Sequence, residues 1–327
     1  NGMKGVGQVL YYATPIIMTG LAVGFAFKTG MFNIGATGQL MVGGFVSIYV
    51  GVTWTFLPGA FHWIVALLMG MLAGMAWGMI VGVFKALLNV HEVITSIMLN
   101  YIALYGINYL VKNSNLFDSL RNQTVNVAAT AVIPKAGLDK IFYITKGRLN
   151  DVSSVNAGIL IAIALAILMY ILLNKTTFGF ELKACGYNRH ASRYAGISEN
   201  RAIITSMAIA GGLSGIAGAL MYLAPASGLH IHMEEVLAAQ GFTGIAVALL
   251  GMSNPIGIIF SGLFIAHITV GGFYLQSLKY MKEIIEVIIG LIIYFSAFSL
   301  LVRDLIAKAG KRRAKKGNQP SKQEAVS

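Results

Sequence analysis

The sequence predicts an all-α, polytopic membrane bundle, and three observations carry that prediction. Of its 327 residues, 57% are hydrophobic and 11% charged, where an ordinary soluble domain carries roughly 25% charged residues. Apolar runs long enough to cross about 30 Å of hydrocarbon recur along the chain. Lys and Arg fall between and after those runs, so the net charge of +12 reads as a topology signal and not as a face for nucleic acid. About seven full crossings are expected, at 9–27, 62–84, 93–111, 157–173, 202–223, 255–275 and 284–302, with two shorter Gly-rich runs, 40–56 and 236–252, as half or re-entrant helices. Residues 1–302 form one membrane domain and 303–327 a basic, disordered cytosolic tail.

Orientation follows from the basic residues. Segment 174–201 holds Lys175, Lys183, Arg189, Arg193 and Arg201, and the tail holds eight more, so both belong in the cytosol. Alternation then puts Lys28 and Lys85 inside as well, a balance of 15 inside to 9 outside. Residues 1–8, 112–156, 224–235 and 276–283 face outward. The chain opens at Asn1 without an initiator Met, and a cytosolic N-terminus requires one more helix upstream of this sequence.

The first run stops at 28–39, which gathers Asn33, Thr37 and Gln39 with Gly30, Gly35 and Gly38. Backbone freed by such glycines cannot face lipid and must be buried in protein or line a watery cavity. A broken helix beside a pathway and a plain turn between helices are both open on these residues. Run 236–252 has a similar entrance, Gln240-Gly-Phe-Thr-Gly244, a hint of an internal repeat. Run 62–84 carries Gly70, Gly74, Gly78 and Gly82 on one face, and 202–223 carries Gly211, Gly215 and Ala219, so close helix packing is expected there. Between 84 and 93, Asn89 and Glu92 are spaced as a capping box. Within 93–111, Asn100 sits at mid-membrane and needs a partner or a cavity.

Loop 112–156 lacks the apolar content for a domain and is either a docking surface or a solvated connection. The following cytosolic segment offers short helical pieces at 180–185 and 188–195, separated by Gly186. Ala184, Ala191 and Ala195 leave shallow surfaces beside Glu181, Lys183, Arg189 and Arg193. Such a segment suits a knob fitting another protein, or a linker held to anionic lipid. Cys185, the single cysteine, is expected to be reduced. His230, His232, Glu234 and Glu235 are too compactly spaced for a clear metal geometry. From Val236 to Leu278 there is no Lys, Arg, Asp or Glu, which leaves Gln240, Thr243 and Asn254 as the main polar side chains.

The chain shows no nucleophile with its base, no paired intramembrane carboxylates and no GxxxxGK[ST] loop. An enzyme and a self-powered pump are therefore disfavoured. The apolar runs are almost free of titratable groups, which disfavours proton coupling, while a sodium site of carbonyls and hydroxyls stays open. A conduit driven by partners fits best.

Three phrases support that reading by resemblance. Phe32-Asn-Ile-Gly-Ala-Thr-Gly-Gln39 resembles the FNIGAxGQ signature of permease subunits of binding-protein-dependent ABC importers, the branched-chain amino acid and ribose type, in the group that handles nucleosides and simple sugars. Thr37 stands where that group usually has Glu. His91-Glu-Val-Ile-Thr-Ser-Ile-Met-Leu-Asn-Tyr101 resembles the group's NEVIxxxMLNYIA segment, with His91 in place of Asn. Residues 176–197 resemble its TxxGxxLRAxGxNxxAAxxAGI loop, and the late segment GFxGIAVALLGxxxPxG is matched from Gly241 onward. The resemblance implies a transport subunit with no cofactor of its own in a multi-pass bacterial plasma membrane. Its implied partners are an ATP-binding subunit that holds ATP and Mg, a second permease forming a heterodimer, and an external substrate-binding lipoprotein. It implies nucleosides before simple sugars as the solute. On this reading Phe32, Asn33, Gln39, Asn100, Tyr101, Gln240 and Thr243 line the pathway. Glu181, Lys183, Ala184, Gly186, Asn188, Ala191, Ala195, Gly196 and Ile197 couple it to the ATPase.

Overall fold

The computed structural model describes residues 2–146, 149–224, 229–276, 284, 287–292, 294–295 and 298. Its helices are α1 (Gly2–Lys28), α2 (Ala36–Thr53), α3 (Gly59–Leu88), α4 (Glu92–Lys112), α5 (Gly158–Lys175), α6 (Thr177–Tyr187), α7 (Arg189–Tyr194), α8 (Glu199–Tyr222), α9 (Ala239–Leu250) and α10 (Pro255–Gln276). Seven of these are long and apolar enough to cross a membrane: α1, α2, α3, α4, α5, α8 and α10. That set differs from the expected one at two places. The run at 40–56 is not a half helix: α2 starts at Ala36, inside the Gly-Ala-Thr-Gly stretch, and reaches 18 residues. The expected crossing at 284–302 is described only in part, at 284, 287–292, 294–295 and 298, all of them helical, and the tail at 303–327 lies outside the described residues. The second short run does stay short, since α9 has 12 residues.

Helix ends sort to two sides. At one, the basic end, Lys28, Lys85 and α6–α7 come together, with Gly186 packed on the backbone of Thr29 and Gly30. At the other, the loop end, segment 113–157 folds over the helices in two short antiparallel hairpins. One pairs β1 (Phe117–Asp118) with β2 (Gln123–Thr124), and the other pairs β3 (Tyr143–Lys146) with β4 (Leu149–Val152). The loop is tied down by backbone bonds from Ala128 N–H to Gly51 C=O and from Thr124 N–H to Ile231 C=O, both 2.9 Å.

Small residues set how closely the helices approach. α3 and α8 run antiparallel with backbone against backbone. A Cβ on Gly74 would strike Gly211 and Gly215, and one on Gly82 would meet Ile204 Cα at 2.9 Å. Without hydrophobic drive between helices in lipid, such close packing supplies the association. α2 joins this seam through Gly43 against Gly215 and Leu40 against Gly218. α1 is the hub of a second group. α9 runs parallel to it, with Gly244 against Thr19, and α10 runs antiparallel, with Gly262 against Ile17.

The capping-box expectation is corrected. The helix starts at Glu92 and its N-cap is His91, whose Nδ1 accepts from Val93 N–H at 3.3 Å. Asn89 instead ends α3 in the left-handed region, φ 53°. Glu92 reaches across to Lys85, 2.9 Å away. The break in the 174–201 segment also shifts, from Gly186 to Asn188. Asn188 is extended, and its side chain accepts from Ala191 N–H at 3.1 Å to start α7. Gly186 sits inside α6 because only glycine lets that helix touch Thr29 and Gly30.

Candidate functional site

Two features meet near mid-depth of the bundle. The first is the turn between α1 and α2. Asn33 and Gln39 form a reciprocal amide pair, Asn33 Nδ2 donating to Gln39 Oε1 at 2.8 Å and Gln39 Nε2 to Asn33 Oδ1 at 3.1 Å. Asn100 accepts from Gly38 N–H at 2.9 Å through Oδ1 and donates to Ile34 C=O at 3.1 Å through Nδ2. These groups lie about eight residues, or roughly 12 Å, along α4 from its start, so the beginning of α2 is embedded in the membrane and not at its surface. All three amides are buried and partnered, which is how broken backbone survives at that depth.

The second feature is the start of α9. Thr19 Oγ1 donates to Gln240 C=O at 2.9 Å, and Gly241 lies directly against Thr37. Above this contact, toward the loop end, lies a cavity of about 470 Å³ bounded by α1, α2, α4, α8, the 229–238 segment and α9. That volume falls within the roughly 300–1,000 Å³ of small-molecule sites. Tyr11, Tyr12, Asn108, Tyr222, His232 and Gln240 give it its aromatic and polar character, and among the described residues Glu234 is its one formally charged side chain. His230 Nε2 lies 3.2 Å from His232 Nε2, and His230 Nδ1 lies 3.1 Å from Asn126 Oδ1. The floor is formed by Pro15, Met41 and the first residues of α9. The cavity thus lies on the loop-end side of the α1–α2–α9 contact, which separates it from the basic end.

The expected pathway residues divide. Gln240 lines the cavity. Asn33, Gln39 and Asn100 are not on its wall and spend their polar atoms on one another and on backbone. Phe32 stacks on Phe27 with ring centroids 5.1 Å apart. Thr243 is half-buried and donates to Ala239 C=O at 3.0 Å. Tyr101 lies on the exposed face of α4, its ring 6.4 Å from that of Tyr105. Residues absent from the sequence reading are Tyr11, Tyr12, Asn108, Tyr222 and Thr19, while Thr37 was read there as part of the 28–39 stretch but not placed on the pathway. Asn108 carried a usable signal, being polar and two turns from Asn100 in an apolar helix.

At the basic end, α6 buries Gly179, Leu182 and Cys185 along one face. Burial pushes the Cys185 thiol above its ordinary range. The other face presents Phe180 and Glu181, and Tyr187 and Tyr194 stand almost wholly in the open at 86% and 95%. Lys183 Nζ donates to Asn174 Oδ1 at 3.3 Å. Ala191, Ala195 and Gly196 are exposed and small, and Gly196, φ 81°, ends the segment after α7. Ala184, Gly186 and Ile197 are partly covered, while Asn188 is exposed at the break. Arg189 Nη2 rests 3.8 Å from Met31 Sδ, and its Nη1 lies 3.7 Å from Glu199. This segment is therefore in direct contact with the turn that leads to Asn33.

A family model described as the branched-chain amino acid transport system permease component matches residues 5–297. The chain is 37% identical to the guanosine ABC transporter permease protein NupP of Bacillus subtilis, over 96% of this chain and 88% of that one. It is 33% identical to the nucleoside ABC transporter permease protein NupB of Lactococcus lactis, over 98% and 87% of the two chains. A glucose ABC transporter permease protein of Haloferax volcanii is 31% identical, over 89% and 75%. No solved structure matches the chain.

Proposed function

The chain belongs to the branched-chain amino acid transport system permease family, and we propose that it is the membrane subunit through which nucleosides are imported. As a permease component it transports and does not catalyse. Its family works with an ATPase and a binding protein. The finer assembly is part of the proposal: an external lipoprotein delivers solute at the loop end, a second and different permease completes the pathway, and the ATPase subunit, holding ATP and Mg, grips the basic end.

The observation that carries the substrate reading is the cavity. Its aromatic rings and neutral amides suit a solute with a flat base and hydroxyls, and its walls hold no Lys or Arg among the described residues to attract a phosphate. The two nucleoside-named relatives point the same way. The glucose-named relative keeps a simple sugar as the second reading.

Coupling rests on α6–α7. Its exposed aromatic and small residues offer a partner something to hold, and its buried side touches the Thr29–Met31 turn. A push on α6 therefore reaches the start of α2 through the Gly30–Gly186 contact. Uptake of labelled guanosine, uridine and ribose, in cells with and without this gene, tests the reading. Loss of nucleoside uptake in the deletion and in a Gly186→Trp variant that still reaches the membrane is the expected result. Unchanged uptake of all three solutes would overturn the substrate reading. Full transport by Gly186→Trp would overturn the coupling role.

A further inference from the structure

Resting on the import reading of the cavity, we propose that the N-termini of α2 and α9, with Thr37 between them, form a subsite for the hydroxyl oxygens of the solute's sugar. α2 and α9 start beside each other near mid-membrane. Their N-caps, Gly35 and Ala238, make no side-chain capping bond. The first-turn N–H groups of a helix have no partner within it and carry the positive end of its dipole; in α2 one of them, Gly38 N–H, is already held by Asn100 Oδ1.

Thr37 is the independent observation. It is fully buried, and its Oγ1 finds no hydrogen-bond partner. That oxygen is aimed at the first turn of α9, since a Cβ on Gly241 would collide with it. A buried hydroxyl left unpaired is costly; six other buried side-chain atoms share that state among the described residues, but Thr37 is the one set against the first turn of α9 beside the cavity wall. Ala239 and Gln240, next to Gly241, are already walls of the cavity. A solute entering from the loop end would meet these residues first; Thr37 itself is packed against Gly241, so the first turn of α9 must lift from it before its hydroxyl can be reached.

The chemistry selects the ligand class. Two positive helix ends oppose a cation. Glu234 on the cavity wall opposes an anion. Neutral hydroxyl oxygens accept from helix N–H groups, and they can also donate to or accept from Thr37. A ribose, free or as part of a nucleoside, presents such an array.

The test uses the complete transporter in proteoliposomes with guanosine, 2′,3′-dideoxyguanosine and ribose as solutes. The binding protein is the same in every arm, so a change in selectivity belongs to this chain. Wild type should favour guanosine over the dideoxy compound. Thr37→Val should shrink that preference about tenfold, the worth of roughly one buried hydrogen bond, through the KM for guanosine. Thr37→Ser should restore it. Gly241→Ala, which drives a methyl into Thr37, should slow both solutes. Should Thr37→Val fail to insert, Thr37→Ala reads the same ratio. An unchanged ratio in the hydroxyl-deleting variant, or no preference in wild type, overturns the subsite and leaves the nucleoside reading standing. Transport of ribose but not guanosine overturns the nucleoside reading alone, and the subsite is then judged by the KM for ribose in Thr37→Val. Transport of neither overturns both.

Discussion

Asn100 shows what one amide does at mid-membrane. It bonds Gly38 N–H and Ile34 C=O, two backbone groups freed where α2 begins, so it acts as a clasp between α4 and the α1–α2 turn. Asn100→Leu should lower stability by about 1–2 kcal/mol, read as a lower Tm in detergent, with uptake falling more steeply than protein level. Cys185 gives a second check at this scale. Its thiol is buried and its pKa raised, so at pH 7.5 it holds less thiolate than a free cysteine. Maleimide labelling should be slow in the folded protein, speed up as pH rises, and become complete in Leu182→Ala, which opens the face covering it. The sequence pointed to Asn100, Asn33 and Gln39 as polar groups that needed explaining, and that was legible because charge and amide are rare in an apolar run. Whether each faced a cavity or a neighbour was not legible. Pairing across 62 or 66 residues depends on tertiary approach and leaves no local mark.

The helices themselves were largely written in the pattern. Apolar length located most crossings, and the spacing of four in Gly70, Gly74, Gly78 and Gly82 announced the face that meets Gly211 and Gly215. Gly74→Val should therefore push α3 off α8 at a point where backbone touches backbone. A cost of about 1–3 kcal/mol, typical of overpacking, should appear as loss of folded protein, whereas Gly106→Val, at an open position on α4, should be tolerated. Boundaries were less legible. The start of α2 was expected four residues later, because glycines read as breakers; here Gly35 and Gly38 lie inside a packed polar cluster whose side chains hold the first turn together. The shift from Gly186 to Asn188 has a similar origin, since a helical glycine and a helix-breaking glycine look the same until the surface opposite is known.

For the whole molecule, sidedness follows from the clustering of helix ends. Alternation expects the loop end outside and the basic end in the cytosol. In a Cys185→Ser background, a membrane-impermeant thiol reagent added to intact cells should label Leu120→Cys, whose parent side chain is 96% exposed at the loop end. Tyr187→Cys should be labelled only after the membrane is opened. The reverse pattern would invert the transporter. The cavity itself was the least legible feature, because it is assembled from α1, α2, α4, α8 and α9 with the 229–238 segment and no single stretch contains it. One further consequence belongs to the α3–α8 seam. Any change in the first or second base of a glycine codon introduces a side chain or a stop, so each seam codon has almost no harmless missense neighbours. Spontaneous mutants selected for resistance to a toxic nucleoside should accordingly collect at Gly74, Gly211 and Gly215, none of which lines the cavity.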